Sequence, residues 1–184
     1  MFNEANYLNI VTNLIDWPVI ENQSEKRIGE VIDVAIHPTR GELTGIVIMT
    51  DAGEKAALRA NAFQIHLPMK KVYANKSSLL PGSEIKESFK ESVTIYKGLL
   101  GSEVVTRNGD LLGRVLSVYI EPAGRQVFYR VFSSWAAVLM EGGFYLAARV
   151  PYFYSRVRRR LIVPVIIPTL YLRHSLTESL GHHI

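Results

Sequence analysis

Apolar and polar residues alternate in short stretches along the chain, and two of these stretches end in the same way. Val34 and Ile36 alternate with other residues just before a proline, and Val118 and Ile120 do so again. A period of two is typical of a β-strand that buries one face. Proline cannot donate a hydrogen bond to a neighbouring strand, so we expect each strand to end there in a turn. The pattern therefore predicts two similar strands in distant parts of the chain.

Both strands belong to a longer internal repeat. The pattern Gly-x-Val-x-x-Val-x-Ile-x-Pro occupies residues 29–38 and again residues 113–122, and a glycine follows each copy. A glycine within a strand marks a bend or a close approach of two backbones, and we expect Gly29 and Gly113 at such places. Because the same spacing occurs twice, the repeat predicts two copies of one structural unit.

Each copy also has a shorter strand before the repeated pattern and a third strand after it. The short strands are predicted at residues 18–21 and 103–106, and the third strands at residues 43–49 and 126–132. A polar turn joins the first two strands, and in the second copy it contains Asn108-Gly109, a strong signal for a β-hairpin. Short strands in this order are typical of a small β-barrel.

The repeat resembles the PRC-barrel family, whose members begin with Leu-(Ile/Leu)-Gly-x-x-Val and continue with a polar hairpin and the glycine-to-proline pattern. The first copy matches at Gly29, Val31, Asp33, Val34, Ile36, Pro38 and Gly41. The second copy matches at Leu99, Leu100, Gly101, Val104, Asn108, Gly109, Gly113, Val115, Val118, Ile120, Pro122 and Gly124. The copies depart from the family at Asp16, which replaces a glycine, and at Ser117, which replaces an acid.

The resemblance and the strand pattern together predict an all-β fold of two tandem small antiparallel β-barrels. The first PRC-barrel-like domain is expected in residues 1–75 and the second in residues 98–184. Between them, the charged residues 76–97 are expected to form a solvated connector with one short helix. Leucines spaced along residues 170–180 predict a short C-terminal helix.

The resemblance implies docking on a larger assembly rather than catalysis. Members of the family include the cytoplasmic barrel of the reaction-centre H subunit and the C-terminal domain of a ribosomal small-subunit maturation factor. The chain has no nucleophile elbow, phosphate-binding loop or dinucleotide fingerprint, so we predict no enzyme activity and no cofactor. Asp33 lacks a partner base, and we expect its carboxylate to accept hydrogen bonds at a turn. The histidines do not have the spacing of a metal site.

Composition narrows the class of protein further. Hydrophobic residues make up 48% of the chain and charged residues 21%, which favours a buried core over disorder. The absence of cysteine excludes disulfides, a thiolate nucleophile and zinc sites that need sulfur. The charge-poor residues 131–148 contain Glu141 beside Gly142-Gly143, so we interpret them as two buried strands around a turn rather than a membrane span. We expect a cytoplasmic protein that can lie at a membrane surface.

Charge is distributed unequally along the chain. Residues 1–92 contain 10 Lys and Arg against 12 Asp and Glu, for a net charge of −2. Residues 93–184 contain 11 Lys and Arg against 5 Asp and Glu, for a net charge of +6. Ten of those 11 basic residues are arginine, whose planar guanidinium binds phosphates and carboxylates in pairs of hydrogen bonds. The second half is therefore the candidate for contact with an anionic partner.

The candidate binding residues lie together in the second half. They are Tyr152, Tyr154, Arg156, Arg158, Arg159 and Arg160. If this segment were a strand, Arg156, Arg158 and Arg160 would share one face about 6 to 7 Å apart. Three targets fit such a row: RNA phosphates, anionic lipid headgroups or an acidic protein surface. The alternative is a solvated edge strand whose charges prevent aggregation.

These observations predict a non-enzymatic adaptor or assembly module. It would dock through the basic second barrel on a protein complex, which could lie at the periphery of a membrane. The alternative function is a ribosome- or RNA-linked assembly factor that binds through residues 156–160. The aromatic residues and the apolar run at residues 161–172 also leave open contact between two copies of the chain.

Overall fold

The computed structural model describes residues 8–9, 13–121, 127–132 and 143–164. These residues are mostly β-strand, which confirms the predicted fold class at that level. The strands are β1 (Leu8–Asn9), β2 (Pro18–Glu21), β3 (Arg27–His37), β4 (Glu42–Thr50), β5 (Lys55–Arg59), β6 (Phe63–His66), β7 (Lys71–Ala74), β8 (Leu80–Pro81), β9 (Val93–Thr94), β10 (Glu103–Thr106), β11 (Leu111–Ile120), β12 (Val127–Phe132), β13 (Phe144–Ala147), β14 (Phe153–Ser155) and β15 (Arg160–Val163). The helical elements are 3₁₀ turns at Ala60–Ala62, Lys76–Ser78 and Gly82–Glu84, the single-turn helix α1 (Ile85–Ser88) and a π-helical turn at Ile95–Leu99.

The strands form two sheets with the same internal order. The first sheet runs β6-β7-β2-β3-β4-β5-β8, and β9 also pairs with β3. The second sheet runs β14-β15-β10-β11-β12-β13, and β1 also pairs with β11. Each sheet contains one parallel pair, β2 with β7 and β10 with β15, among otherwise antiparallel neighbours. The sequence repeat therefore corresponds to a repeat of topology.

The registers of the two sheets agree as closely as their strand orders. Val19 lies opposite Gly29 in the first sheet, and Val104 lies opposite Gly113 in the second, with a register shift after each pair. A side chain at Gly29 would overlap the carbonyl oxygen of Met49, and one at Gly113 would overlap that of Phe132. Both glycines are therefore required by a close approach of the neighbouring strand, which confirms the prediction for these positions.

The prediction of two closed barrels is not supported by the strand pairing. Among the described residues, no hydrogen-bonded pair joins the two ends of either strand order, so both sheets are open. The strand pairs are mainly antiparallel, as predicted, and the β2–β7 and β10–β15 pairs are the parallel exceptions among the described strands. Periodicity predicts which residues form strands, but the direction of a pair depends on where a later strand returns to the sheet.

Two short segments exchange sheets, and we call them the lead-in strands. The lead-in strand β1 precedes the first repeat but pairs with β11, with Leu8 opposite Ile120. The lead-in strand β9 precedes the second repeat but pairs with β3, with Val93 opposite Ile36. Because each repeat contributes its lead-in strand to the other repeat's sheet, the two sheets are tied together by reciprocal backbone pairing.

One hydrophobic core runs through both sheets. It includes Leu14, Ile46 and Leu58 from the first half and Ile120 and Leu161 from the second, all fully buried. Ile95 at the end of the connector and Leu99 just after it also belong to this core, and neither has exposed surface. Burial of such side chains contributes about 1.5–3 kcal/mol each relative to exposure. The shared core therefore joins the two halves in addition to the exchanged strands.

The connector differs from the solvated segment that its charges predict. Its short helix is present as α1, but β8 pairs with β5 and covers that edge of the first sheet. Phe89, only 7% exposed, packs against Ala35 and Ala57 on the face of the sheet opposite to the main core. Charged neighbours such as Lys90 and Glu91 remain exposed, so a single buried aromatic ring fixes a segment whose composition is polar.

The predicted buried strands of residues 131–148 are present as the antiparallel pair β12 and β13, as far as the described residues reach. Among all the residues that the structure describes, no helix is long and apolar enough to cross a membrane. The predicted C-terminal helix at residues 170–180 lies outside the described residues.

Candidate docking surface

The arginine-rich segment forms a hairpin turn rather than a strand. Strand β14 ends at Ser155, residues 156–159 form the turn, and β15 begins at Arg160. Arg159 has a positive φ of 48°, which reverses the chain into β15. The predicted row of three arginines on one strand face is therefore wrong, because a turn does not alternate its side chains as a strand does.

Two of the candidate arginines bind backbone carbonyls of the connector and the residues after it. Arg156 donates to the carbonyl of Ser92 at 2.8 Å and to that of Lys90. Arg159 donates to the carbonyl of Gly98 at 3.3 Å and to that of Leu100. The carbonyls accept hydrogen bonds from both guanidiniums but do not neutralise their charges. These bonds hold the hairpin against the chain that links the two halves.

The Gly98 carbonyl collects donors from three separate elements. The Tyr154 hydroxyl donates to it at 2.6 Å, the Ser102 hydroxyl at 2.9 Å and the Arg159 guanidinium at 3.3 Å. A side chain at Gly98 would overlap Val93. Tyr154 is thus half-buried in a structural contact, whereas Tyr152 is 53% exposed and available on the surface.

Glu103 on β10 lies between two arginines. Arg114 donates to one carboxylate oxygen at 2.7 Å and Arg160 to the other, also at 2.7 Å. Strand pairing places all three residues side by side, because Glu103 is opposite Arg114 on β11 and Arg160 on β15. The hydrogen bond from Arg160 is the largest cause of a pKa of Glu103 below its usual value, and Arg114 adds to the effect.

A cleft of about 500 Å³ lies beside this triad, and we call it the arginine cleft. It is lined by Gly101, Glu103, Arg114, Arg158, Arg159 and Arg160. Four arginines and one glutamate give these residues a net charge of +3. Arg158 is exposed, and its side chain makes no hydrogen bond or ion pair with the described residues. The cleft therefore presents fixed positive charge and one guanidinium that is free to bind a partner.

The same hairpin exposes apolar side chains. Val157, at the turn, is 96% exposed, and Tyr152 and Phe153 at the start of β14 are about half exposed. These three exposed apolar side chains belong to the same hairpin as three of the arginines that line the cleft.

On the first sheet, the positions equivalent to the arginine cleft have the same strand pairing but a different net charge. Its turn also ends in a residue with positive φ, Lys70 at 50°, before β7 begins at Lys71. Matching the registers pairs Gly101 with Asp16 and Arg114 with Glu30, while Arg159 and Arg160 match Lys70 and Lys71. Two acids and two lysines cancel at this site on the first sheet, whereas the arginine cleft keeps its net charge of +3.

Asp33 has the structural role predicted for it, although in a different place. It is buried and accepts hydrogen bonds from the backbone N–H of Val34 at 2.8 Å and of Tyr96 at 3.2 Å. Burial raises its pKa above the usual value, against the opposing effect of these N–H groups. Asp33 therefore fastens the segment after β9 to the first sheet rather than capping a turn at a barrel rim.

Sequence reasoning found the basic segment but missed Arg114 and Glu103 of the arginine cleft. A usable signal was present, since the predicted hairpin between residues 103–106 and the strand before Pro122 places position 103 near 114. The described residues contain no group of three or more His, Asp or Glu side chains placed to hold a metal ion. The histidines of the C-terminal tail lie outside the part that the structure describes.

Comparison with known proteins agrees with the first repeat. No curated protein matches the chain. The family model of the PRC-barrel domain matches residues 9–79, which include β2 to β7 and stop before the second repeat. Over residues 9–79 the chain is thus similar to the PRC-barrel domain, a similarity that suggests a protein-interaction module.

Proposed function

We propose that the protein is a non-enzymatic adaptor that docks through the β14–β15 hairpin of its second half on a larger protein complex at the periphery of a membrane. The observation that carries this proposal is the arginine cleft beside the exposed Val157. The family match over residues 9–79 supports an interaction module, and the repeated topology supports a second module of the same kind.

The anchoring of the hairpin supports docking rather than a solvated edge. Arg156, Arg159 and Tyr154 bind carbonyls of the segment that links the halves, so the turn is fixed before any partner arrives. A preorganised surface loses less conformational entropy on binding than a mobile one. The first half, with its net charge of −2 over residues 1–92, would support the second or contact a different part of the complex.

The RNA-linked alternative receives less support from the residues around the cleft. Binding to nucleic acid draws its strength from several cations that neutralise phosphates and release counterions, and the net charge of the arginine cleft is compatible with that. Recognition of single-stranded RNA also uses side chains on which the bases stack, and no RNA-stacking motif accompanies the arginines in the sequence.

Fractionation of gently lysed source cells tests the proposal. Tagged wild-type protein should sediment with a complex at low salt and be released at high salt, because exposed charge pairs are screened. Arg158→Glu should reduce this association severalfold. The matched control Arg107→Glu reverses an exposed charge of the same half outside the cleft and should retain the association. Recovery of the wild type alone in the soluble fraction at low salt would overturn the proposal.

A further inference from the structure

The docking hairpin combines an apolar tip with a cationic cleft, and this combination points to one kind of surface. We propose that the β14–β15 hairpin binds an anionic phospholipid bilayer, with headgroup phosphates at the arginine cleft and the Val157 side chain in the interfacial layer. The inference rests on the proposed docking through the same hairpin and adds the chemistry of what the hairpin contacts.

The cleft suits phosphate because its charges are fixed in place. Arg114 and Arg160 are oriented by Glu103, and Arg159 is oriented by backbone carbonyls. The single carboxylate compensates one of four positive charges, and Arg158 has all of its guanidinium donors available. Guanidinium groups bind phosphate oxygens through paired hydrogen bonds, and each basic residue near an anionic membrane strengthens binding.

The tip suits a bilayer because an apolar and a basic residue adjoin at a turn. Val157 is 96% exposed and is followed directly by Arg158. At a membrane surface the apolar side chain enters the boundary between headgroups and acyl chains while the charge remains among the headgroups. Phe153, half exposed on the same hairpin, adds an aromatic ring of the kind found at membrane interfaces.

The equivalent turn of the first sheet lacks the net charge that attracts an anionic bilayer. There Leu67 is 44% exposed and Met69 56% exposed, next to Lys70 and Lys71. Asp16 and Glu30 balance the two lysines, so this turn has exposed apolar side chains without the net positive charge of the arginine cleft. Of the two turns, the β14–β15 hairpin alone combines the positive charge and the apolar surface that an anionic bilayer attracts.

Flotation with vesicles tests the charge part of the proposal on the full chain. Wild-type protein should float with vesicles of phosphatidylcholine and phosphatidylglycerol at low salt, but not with vesicles of phosphatidylcholine alone. Arg158→Glu should weaken binding about thirtyfold, since it changes two charges at about 1 kcal/mol each. Arg107→Glu alters the net charge equally and should change binding only a few-fold. Equal loss in both variants would overturn the proposed site.

A tryptophan at the tip tests insertion directly. In Val157→Trp the added fluorescence should shift to shorter wavelength with anionic vesicles and be quenched by brominated lipid, while the wild type shows neither change. Because Val157 is almost fully exposed, the substitution leaves the fold intact, and circular dichroism verifies this. An unquenched tryptophan on vesicle-bound protein would overturn insertion of the tip.

The outcomes separate this inference from the proposed function. If the wild type ignores anionic vesicles but sediments with a detergent-solubilised protein complex through Arg158, the lipid inference fails and the adaptor proposal stands. If it ignores vesicles and instead binds polyuridylate with the same dependence on Arg158, both fail in favour of the RNA-linked alternative. Binding to anionic vesicles that Arg158→Glu weakens far more than Arg107→Glu supports the inference.

Discussion

The two sheets cover the face opposite to the main core in different ways. In the first sheet Ala35, Gly45 and Ala57 leave a shallow seat, and the ring of Phe89 from the connector fills it. In the second sheet the register-equivalent positions hold three large aromatic residues that pack on one another, namely Tyr119, Phe128 and Tyr145. The same backbone is therefore completed by a distant segment in one half and by its own side chains in the other.

The two sheets also differ in what their small residues and their turns allow. Small residues in the first sheet leave room for Phe89 of the connector to pack against the sheet. The connector then continues into β9, which pairs with β3. The second sheet does not need such a cover at these positions. Its difference lies at the turn, where arginines replace a balanced set of acids and lysines. The first sheet therefore packs against the connector, whereas the second sheet carries the net positive charge at its turn.

The largest expected effect comes from removing the Phe89 ring from its packing site on the first sheet. Phe89→Ala should lower the free energy of unfolding by about 3 kcal/mol or more, because it removes a buried aromatic ring and leaves a cavity. Denaturant unfolding measures this change. Phe153→Ala, which truncates a half-exposed ring, should cost less than about 1 kcal/mol. Equal losses in the two variants would show that the connector is not part of the first sheet's packing.

A smaller effect should follow from loosening the bond between Asp33 and the start of the second half. Asp33→Ala leaves the buried N–H groups of Val34 and Tyr96 without this acceptor and should cost about 1–3 kcal/mol in unfolding free energy. Asp51→Ala removes an exposed carboxylate from a surface ion pair and should cost about 0.5 kcal/mol or less. Hydrogen exchange at residues 93–96 should accelerate only in the Asp33 variant; unchanged exchange there would contradict the assigned contact.

The subtlest test uses the opposite pKa shifts of Asp33 and Glu103. The folded pKa of Asp33 lies above the reference 3.8, so its stabilising contribution is present below that pH and is lost as pH rises through the folded pKa. The folded pKa of Glu103 lies below the reference 4.5, so its contribution is present above that pH and is lost as pH falls through the folded pKa. Unfolding free energies of wild type, Asp33→Asn and Glu103→Gln against pH should give differences with slopes of opposite sign. Slopes of the same sign would refute one of the two environments.

The strand framework was accessible from sequence because its signals are local. Alternating apolar residues gave β3 and β11, and the crowded positions of Gly29 and Gly113 followed from glycine within a strand. The hairpin at Asn108-Gly109 followed from turn chemistry, and Gly109 has the expected positive φ of 93°. Each of these features depends on residues only a few positions apart.

The arginines show why the site could not be predicted in the same way. Arg156 and Arg159 bind carbonyls about 60 residues earlier in the chain, and a carbonyl is present at every residue, so no side-chain pattern identifies the partner. The strand pattern assigned to residues 156–160 failed because the turn depends on the return of β15 beside β10. The parallel direction of that pair, and with it the position of Arg160 beside Glu103, is a property of the whole sheet.

Periodicity, glycine placement and charge are local properties, so the repeat, the strands and the basic character of the second half could be predicted from the sequence. The open sheets, the exchanged lead-in strands, the burial of Phe89 and the lack of a side-chain partner for Arg158 among the described residues emerged from the three-dimensional structure. Those outcomes depend on which distant backbone groups and cavities meet, and they are settled by packing and hydrogen-bond satisfaction over the whole molecule.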